Sequence, residues 1–151
     1  METKTILILG GYGGTGRLIS RLLLKETDVN LIIAGRQREK AEELSGQLNK
    51  EFTGNRVFGR YADASHPESL ATAFRGADLV LVAATTTAYV KQVAQAALSA
   101  GIDYLDIHFV TNFPLDDSLF FASTARGFYR TYDPSQGWTK AESGLRNKFC
   151  Y

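Results

Sequence analysis

Cysteine is almost absent: Cys150 is the single one among 151 residues. A lone thiol excludes an internal disulfide, and no His or Cys stands near it at metal-ligand spacing, so no metal site is expected. That usage suits a reducing cytoplasm. Charge of either sign is not in excess. Seventeen Lys and Arg stand against 16 Asp and Glu, for a net charge of +1. The basic residues are scattered among acidic ones and form no stripe, which argues against a nucleic-acid partner. No apolar run approaches the ~18 residues of a membrane span, so no membrane association is expected. The first apolar stretch ends after five residues in glycines, which is not the pattern of a signal peptide. What remains is 44% hydrophobic and 22% charged, ordinary for one globular domain with a core of its own.

Glycine is what the chain has in quantity, and in one place. Thr5-Ile6-Leu7-Ile8-Leu9 runs into Gly10-Gly11-Tyr12-Gly13-Gly14-Thr15-Gly16, a loop with glycine at five of seven positions. Beyond it, Arg17 to Glu26 carries apolar residues at 18, 19, 22 and 23, a helical spacing. Strand, glycine loop and helix in this order form the pyrophosphate grip of a Rossmann fold. The loop satisfies two registers, Gly11-x-Gly13-x-x-Gly16 and Gly10-x-x-Gly13-x-x-Gly16. A side chain at Gly11 or Gly13 is expected to block the phosphates from the backbone N–H groups. One at Gly16 is expected to push the helix off the strand. The free N–H groups and positive dipole end of the helix then hold the anion.

The rest of the first 108 residues alternates strand and helix. Asn30 to Ala34 reads as a strand covered on both faces. Glu39 to Lys50 is an amphipathic helix with Ala41, Leu44 and Leu48 inward. Arg56 to Tyr61 is a weaker strand. Ser65-His66-Pro67-Glu68 predicts a helix start with Ser65 as N-cap and Glu68 as its capping-box partner. Asp78 to Ala84 is a strand, Ala88 to Ala100 a helix stopped by Gly101, and Ile102 to Ile107 a strand. The pattern predicts an α/β, doubly wound parallel sheet of order 3-2-1-4-5. Residues 109–151 hold ten of the seventeen aromatics and no periodic pattern, so they read as an irregular, aromatic-rich C-terminal extension. A short helix over Leu119 to Ala125 is the one element expected in it. This extension is the candidate surface for self-association.

Residues 1–108 resemble the NAD(P)-binding domain of the saccharopine dehydrogenase family. The resemblance is carried by Ile8-Leu9-Gly10-Gly11-Tyr12-Gly13-Gly14-Thr15-Gly16-Arg17, by Ala34-Gly35-Arg36, and by Tyr61-Ala62-Asp63 before Ser65-His66-Pro67-Glu68-Ser69-Leu70. It continues through Ala77 to Ala84 and Ala100-Gly101-Ile102-Asp103-Tyr104-Leu105-Asp106. It implies a nicotinamide cofactor and oxidoreduction, in that family often of amino-acid-derived imines or of double bonds in lipids. Family enzymes continue into a larger substrate domain, and residues 109–151 match nothing in it. The substrate is therefore an unidentified small molecule.

Cofactor contacts are expected from Gly11, Tyr12, Gly13, Gly14, Thr15 and Gly16, then Arg36, Asp63, Ala84 and Thr85. Arg36 lies where an NAD-specific site places an acid for the ribose 2′-OH. A guanidinium there binds a 2′-phosphate instead, so NADP is the expected cofactor, with NAD as the alternative. Arg38 and Lys40 are the cations placed to add to it. Asp63 has two readings, an adenine-edge contact or a turn acid. Ala83, Ala84 and Thr85 follow a strand where small residues admit the nicotinamide ribose, and Thr85 or Thr86 is placed to bond a ribose or phosphate oxygen. No catalytic residue is assigned. Tyr-x-x-x-Lys, the proton-donating pair of short-chain dehydrogenases, is missing, and Asp106 with His108 is the only acid–base candidate. His66 reads as structural and Lys91 as solvent-facing. Three functions follow: the NADP-binding domain of an oxidoreductase, an NADP-sensing module without turnover, or an interaction domain that binds no nucleotide.

Overall fold

The computed structural model describes residues 3–84, 87–107, 120–124, 127–131 and 139–140. Its elements are β1 (Thr5–Leu9), α1 (Gly14–Glu26), β2 (Asn30–Gly35), α2 (Arg38–Glu51), β3 (Val57–Tyr61), α3 (Pro67–Ala73), β4 (Leu79–Val82), a 3₁₀ turn (Thr87–Tyr89), α4 (Val90–Ala100), β5 (Asp103–Asp106), β6 (Phe120–Thr124), β7 (Gly127–Thr131) and β8 (Thr139–Lys140). The strands form one sheet of order β3-β2-β1-β4-β5-β6-β7-β8. The first five are parallel, in the 3-2-1-4-5 order that the alternating pattern predicts. The last three are antiparallel.

Side-chain alternation divides the core into two layers. Leu7, Leu9, Ile32, Ala34, Val80 and Val82 face α3 and α4, where Leu70, Ala73, Phe74, Val93 and Ala97 meet them. Ile8, Leu31, Ile33 and Leu81 face α1 and α2, where Leu24, Ala41, Leu44 and Leu48 pack. Both faces of the central strands are covered, which is why those strands read as continuous apolar runs.

Several elements differ from expectation. α1 begins at Gly14, three residues earlier than the apolar spacing indicates, so three of the seven residues of the glycine loop are helix. Its buried residues are Gly16, Ser20 and Leu24, while Leu18 and Leu22 are exposed at 71% and 60%. The small residues bring the helix against the sheet and turn the bulkier leucines outward. Leu98 of α4 is also exposed, at 67%. Ser65 does not cap α3. The N-cap is His66, without a side-chain cap bond, and the Ser65 hydroxyl donates to the Asp63 carboxylate at 2.7 Å. Asp63 takes both donors of Ser65, its hydroxyl and its backbone N–H, and so stands where the capping box would put Glu68. Residues 120–124 are strand, not the expected helix. Two adjacent phenylalanines followed by Ala-Ser-Thr suit a pleated surface better than a helix turn. The extension thus contains an antiparallel hairpin and a short further strand, and its remaining residues, 109–119 among them, lie outside the described residues.

Candidate nucleotide-binding edge

The carboxyl ends of β1 to β5 converge on one edge, tied together by backbone bonds. Gly10 N–H donates to Ala34 C=O at 2.8 Å, Ala62 to Gly35 at 3.0 Å, Ala83 to Leu9 at 2.8 Å and Ile107 to Val82 at 3.3 Å. In open α/β sheets this is the edge where ligands bind.

The glycine turn is built for closeness. Gly10 has φ +81°, and a Cβ there would lie 2.5 Å from that of Ala84, so the loop and the end of β4 touch. At Gly16 a Cβ would meet Gly10 O, Gly11 Cα and Gly11 O at 2.6 Å. That is the helix-to-turn packing expected of this position. Gly11 has a different reason from the one expected. Its Cβ would point at Ile33, 2.9 Å from Cγ2, so the missing side chain seats the loop on β2. At Gly13 a Cβ would meet Gly10 O at 3.2 Å, within the loop itself. The open position is Gly14, where a Cβ would meet nothing within 4 Å.

Above Gly14 the helix end is uncapped. Gly13 is the N-cap with no side-chain cap bond, and α1 has no acid in its first turn. The first bond of the helix runs from Arg17 N–H to Gly13 C=O at 2.9 Å. The N–H groups of Gly14, Thr15 and Gly16 are therefore the orphan donors of a helix terminus. Gly14 and Thr15 are exposed and Gly16 is buried, so the first two of these donors stand at the surface. Arg17 adds a cation, its Nε donating to Tyr12 C=O at 2.9 Å. Sequence reasoning gave Arg17 no role, and its place directly after Gly16 was the available signal.

Tyr12 ties this turn to the next. Its ring covers Gly35, where a Cβ would fall 2.5 Å from Tyr12 Cε1, and its oxygen accepts the Gln37 N–H at 3.0 Å. The three cations after β2 separate. Arg38 pairs with Glu42 at 2.7 Å, and that carboxylate raises the Arg38 pKa. Arg36 and Lys40 are exposed and have no anionic partner among the described residues.

Asp63 is occupied by its own turn. Oδ1 accepts the Ser65 N–H at 2.9 Å and the Ser65 hydroxyl at 2.7 Å, and Oδ2 lies 3.3 Å from His66 Nδ1. The Ser65 hydroxyl, then the Ser65 amide, hold its carboxyl below the usual carboxylate range. At the end of β5, Tyr104 donates to Asp106 Oδ2 at 2.8 Å, both side chains buried. Burial, then the Asp106 charge, push the Tyr104 phenol above its usual range. Thr85, Thr86 and His108 lie outside the described residues. Glycines 11, 13, 14 and 16, Tyr12, Thr15 and Ala84 are thus gathered at one turn, with Arg36 beside it through Tyr12 and Asp63 one strand farther.

The chain belongs to the family described as the saccharopine dehydrogenase NADP binding domain, whose pattern matches residues 6–136. It is an NADP-binding domain of that family, and NADP is its cofactor. No curated protein matches it. Among solved structures it is similar to a short-chain dehydrogenase/reductase from Veillonella parvula in complex with NADP, at 23% identity and a TM-score of 0.56, over 69% of this chain and 46% of that one. It is also similar to saccharopine dehydrogenase (L-Glu forming) from Saccharomyces cerevisiae, at 20% identity and 0.55, over 68% and 21%. Citrobacter sp. triphenylmethane reductase complexed with NADP(H) matches at 29% and 0.52, over 66% and 36%. The chain thus spans less than half the length of each of these structures. No helix among the described residues is long and apolar enough to cross a membrane.

Proposed function

We propose that the chain holds NADP(H) at this edge for hydride transfer in an oxidoreductase whose substrate site lies outside the described residues. One observation carries the reading: the uncapped end of α1 opens at Gly14 onto clear space. Backbone N–H groups of Gly14, Thr15 and Gly16 hold the pyrophosphate, which the helix dipole favours. Gly10, Gly11 and Gly13 shape the turn, Ala84 borders it, and Thr85 follows Ala84 toward the nicotinamide ribose. Arg36 neutralises the 2′-phosphate, since Arg38 is committed to Glu42. Asp63 holds its turn. The bound nicotinamide supplies the hydride chemistry, and the protein positions it. The parallel strands and every helix among the described residues precede residue 108, which supports a parallel nucleotide-binding unit over 1–108, while the family's pattern continues into the extension over 109–151 as far as residue 136. A single cysteine supports a cytoplasmic setting. Self-association falls to the aromatic extension, and sedimentation of the full chain tests it.

A second reading, an NADP sensor without turnover, is favoured by the missing Tyr-x-x-x-Lys and by a Tyr104 hydroxyl already spent on Asp106. Fluorescence titration with NADPH and NADH tests the binding that both share. Tighter binding of NADPH is expected, and no binding of either coenzyme would defeat both. NADPH oxidation on a panel of imines, enones and quinones separates turnover from sensing.

A further inference from the structure

Tyr12 is fixed at both ends. Its carbonyl accepts Arg17 Nε at 2.9 Å, and its phenol oxygen accepts the Gln37 N–H at 3.0 Å, across 25 residues of sequence. The ring lies over Gly35 so closely that a Cβ there would overlap Cε1, Cζ and the hydroxyl oxygen, at 2.5 to 2.8 Å. The ring as seated therefore requires glycine at 35. A phenol has one proton to donate besides the lone pairs that accept. The Gln37 N–H uses a lone pair, and no acceptor for the Tyr12 proton occurs among the described residues. Gln37 is the N-cap of α2 and offers no side-chain cap bond, so that turn too presents donors without an internal acceptor. Arg36, the residue between Gly35 and Gln37, is exposed and unpaired among the described residues.

We propose that Tyr12 is a selectivity residue for the 2′-phosphate: seated on Gly35 and holding Gln37, its hydroxyl donates to the phosphate that Arg36 neutralises. The inference rests on the binding edge proposed above and adds a donor from the glycine loop to the cation after β2. A 2′-hydroxyl in place of the phosphate lacks the charged acceptor, so the Tyr12 proton contributes to NADP affinity far more than to NAD affinity.

The test compares wild type, Tyr12→Phe and Arg36→Gln, titrated with NADPH and with NADH. Phenylalanine keeps the ring on Gly35, and retained NADH binding reports that the turn is intact. Loss of one hydrogen bond to a charged group is expected to weaken NADPH binding of Tyr12→Phe about tenfold. NADH binding should stay within about twofold. Displacement of bound NADPH by 2′-AMP should weaken in parallel, and that by 5′-AMP should not. If Tyr12→Phe keeps the wild-type NADPH-to-NADH ratio while Arg36→Gln loses it, Tyr12 is no selectivity residue and the binding edge stands. Equal weakening of both coenzymes would make Tyr12 a strut only and would also overturn the inference. If neither variant changes either affinity, the binding edge itself is misplaced and the inference falls with it.

Discussion

Two strand-to-helix turns on the same sheet edge follow opposite plans. After β3, the chain satisfies itself: Asp63 takes the Ser65 amide, the Ser65 hydroxyl and His66, and its own N–H donates to Ser69 Oγ at 2.9 Å. After β1, glycine stands at five of the seven loop positions, and the end of α1, without a side-chain cap like that of α3, has no acid in its first turn where α3 has Glu68. The dipole at a helix N-terminus favours an anion, and the chain chooses whether to supply that anion itself. The β3 turn carries its own carboxylate. The β1 turn reserves the position for a phosphate from outside.

The largest break of this contrast is Gly16→Val. Its Cβ would strike backbone atoms 2.6 Å away, which neither turn nor helix yields cheaply. A loss of about 3 kcal/mol is expected in chemical denaturation, with NADPH binding lost beyond about 100-fold. Gly14→Asp sharpens the contrast, because it rebuilds the β1 turn on the self-satisfied plan. A carboxylate in the first turn should raise stability by up to ~1 kcal/mol. The same charge opposing the pyrophosphate should weaken NADPH binding about 100-fold.

Arg36→Gln comes next. NADPH affinity should fall about 30-fold by loss of a charge-assisted contact, and NADH affinity should not change. The smallest effect belongs to the closed turn. Asp63→Asn should cost about 1 kcal/mol at neutral pH and leave NADPH binding within about twofold. Because the folded state depresses the Asp63 pKa, its contribution is complete above the unfolded value of about 3.9 and is lost as pH falls through the folded value. Acid melts below about pH 4 should therefore separate wild type from the variant less than melts at pH 7.

Much of this fold was legible in the sequence. The buried strands Thr5–Leu9, Asn30–Gly35 and Leu79–Val82 announce themselves because both faces are covered, and Gly101 stops α4 at φ +69° as a left-handed cap does. The glycine turn was legible as a turn between strand and helix, and less so in the reason for each of its residues. Gly11 is needed by Ile33, a residue of another strand, and no local pattern reveals that. Tyr12 meets Gly35 and Gln37 only after β2 has paired beside β1. Ser65 looked like a cap by spacing alone, and Asp63, which takes both its amide and its hydroxyl, acts through a turn geometry that spacing does not encode. The orientation of α1 was hidden for a related reason: Gly16 and Ser20, not the larger leucines, decide which side approaches the sheet.

The most direct measurement pairs a thermal melt of Gly14→Asp with its NADPH titration. An open anion site predicts a midpoint equal to or above that of wild type, together with an affinity about 100-fold weaker. A variant that melts like wild type and binds NADPH as tightly would contradict the account, since the end of α1 would then not be where the phosphates rest.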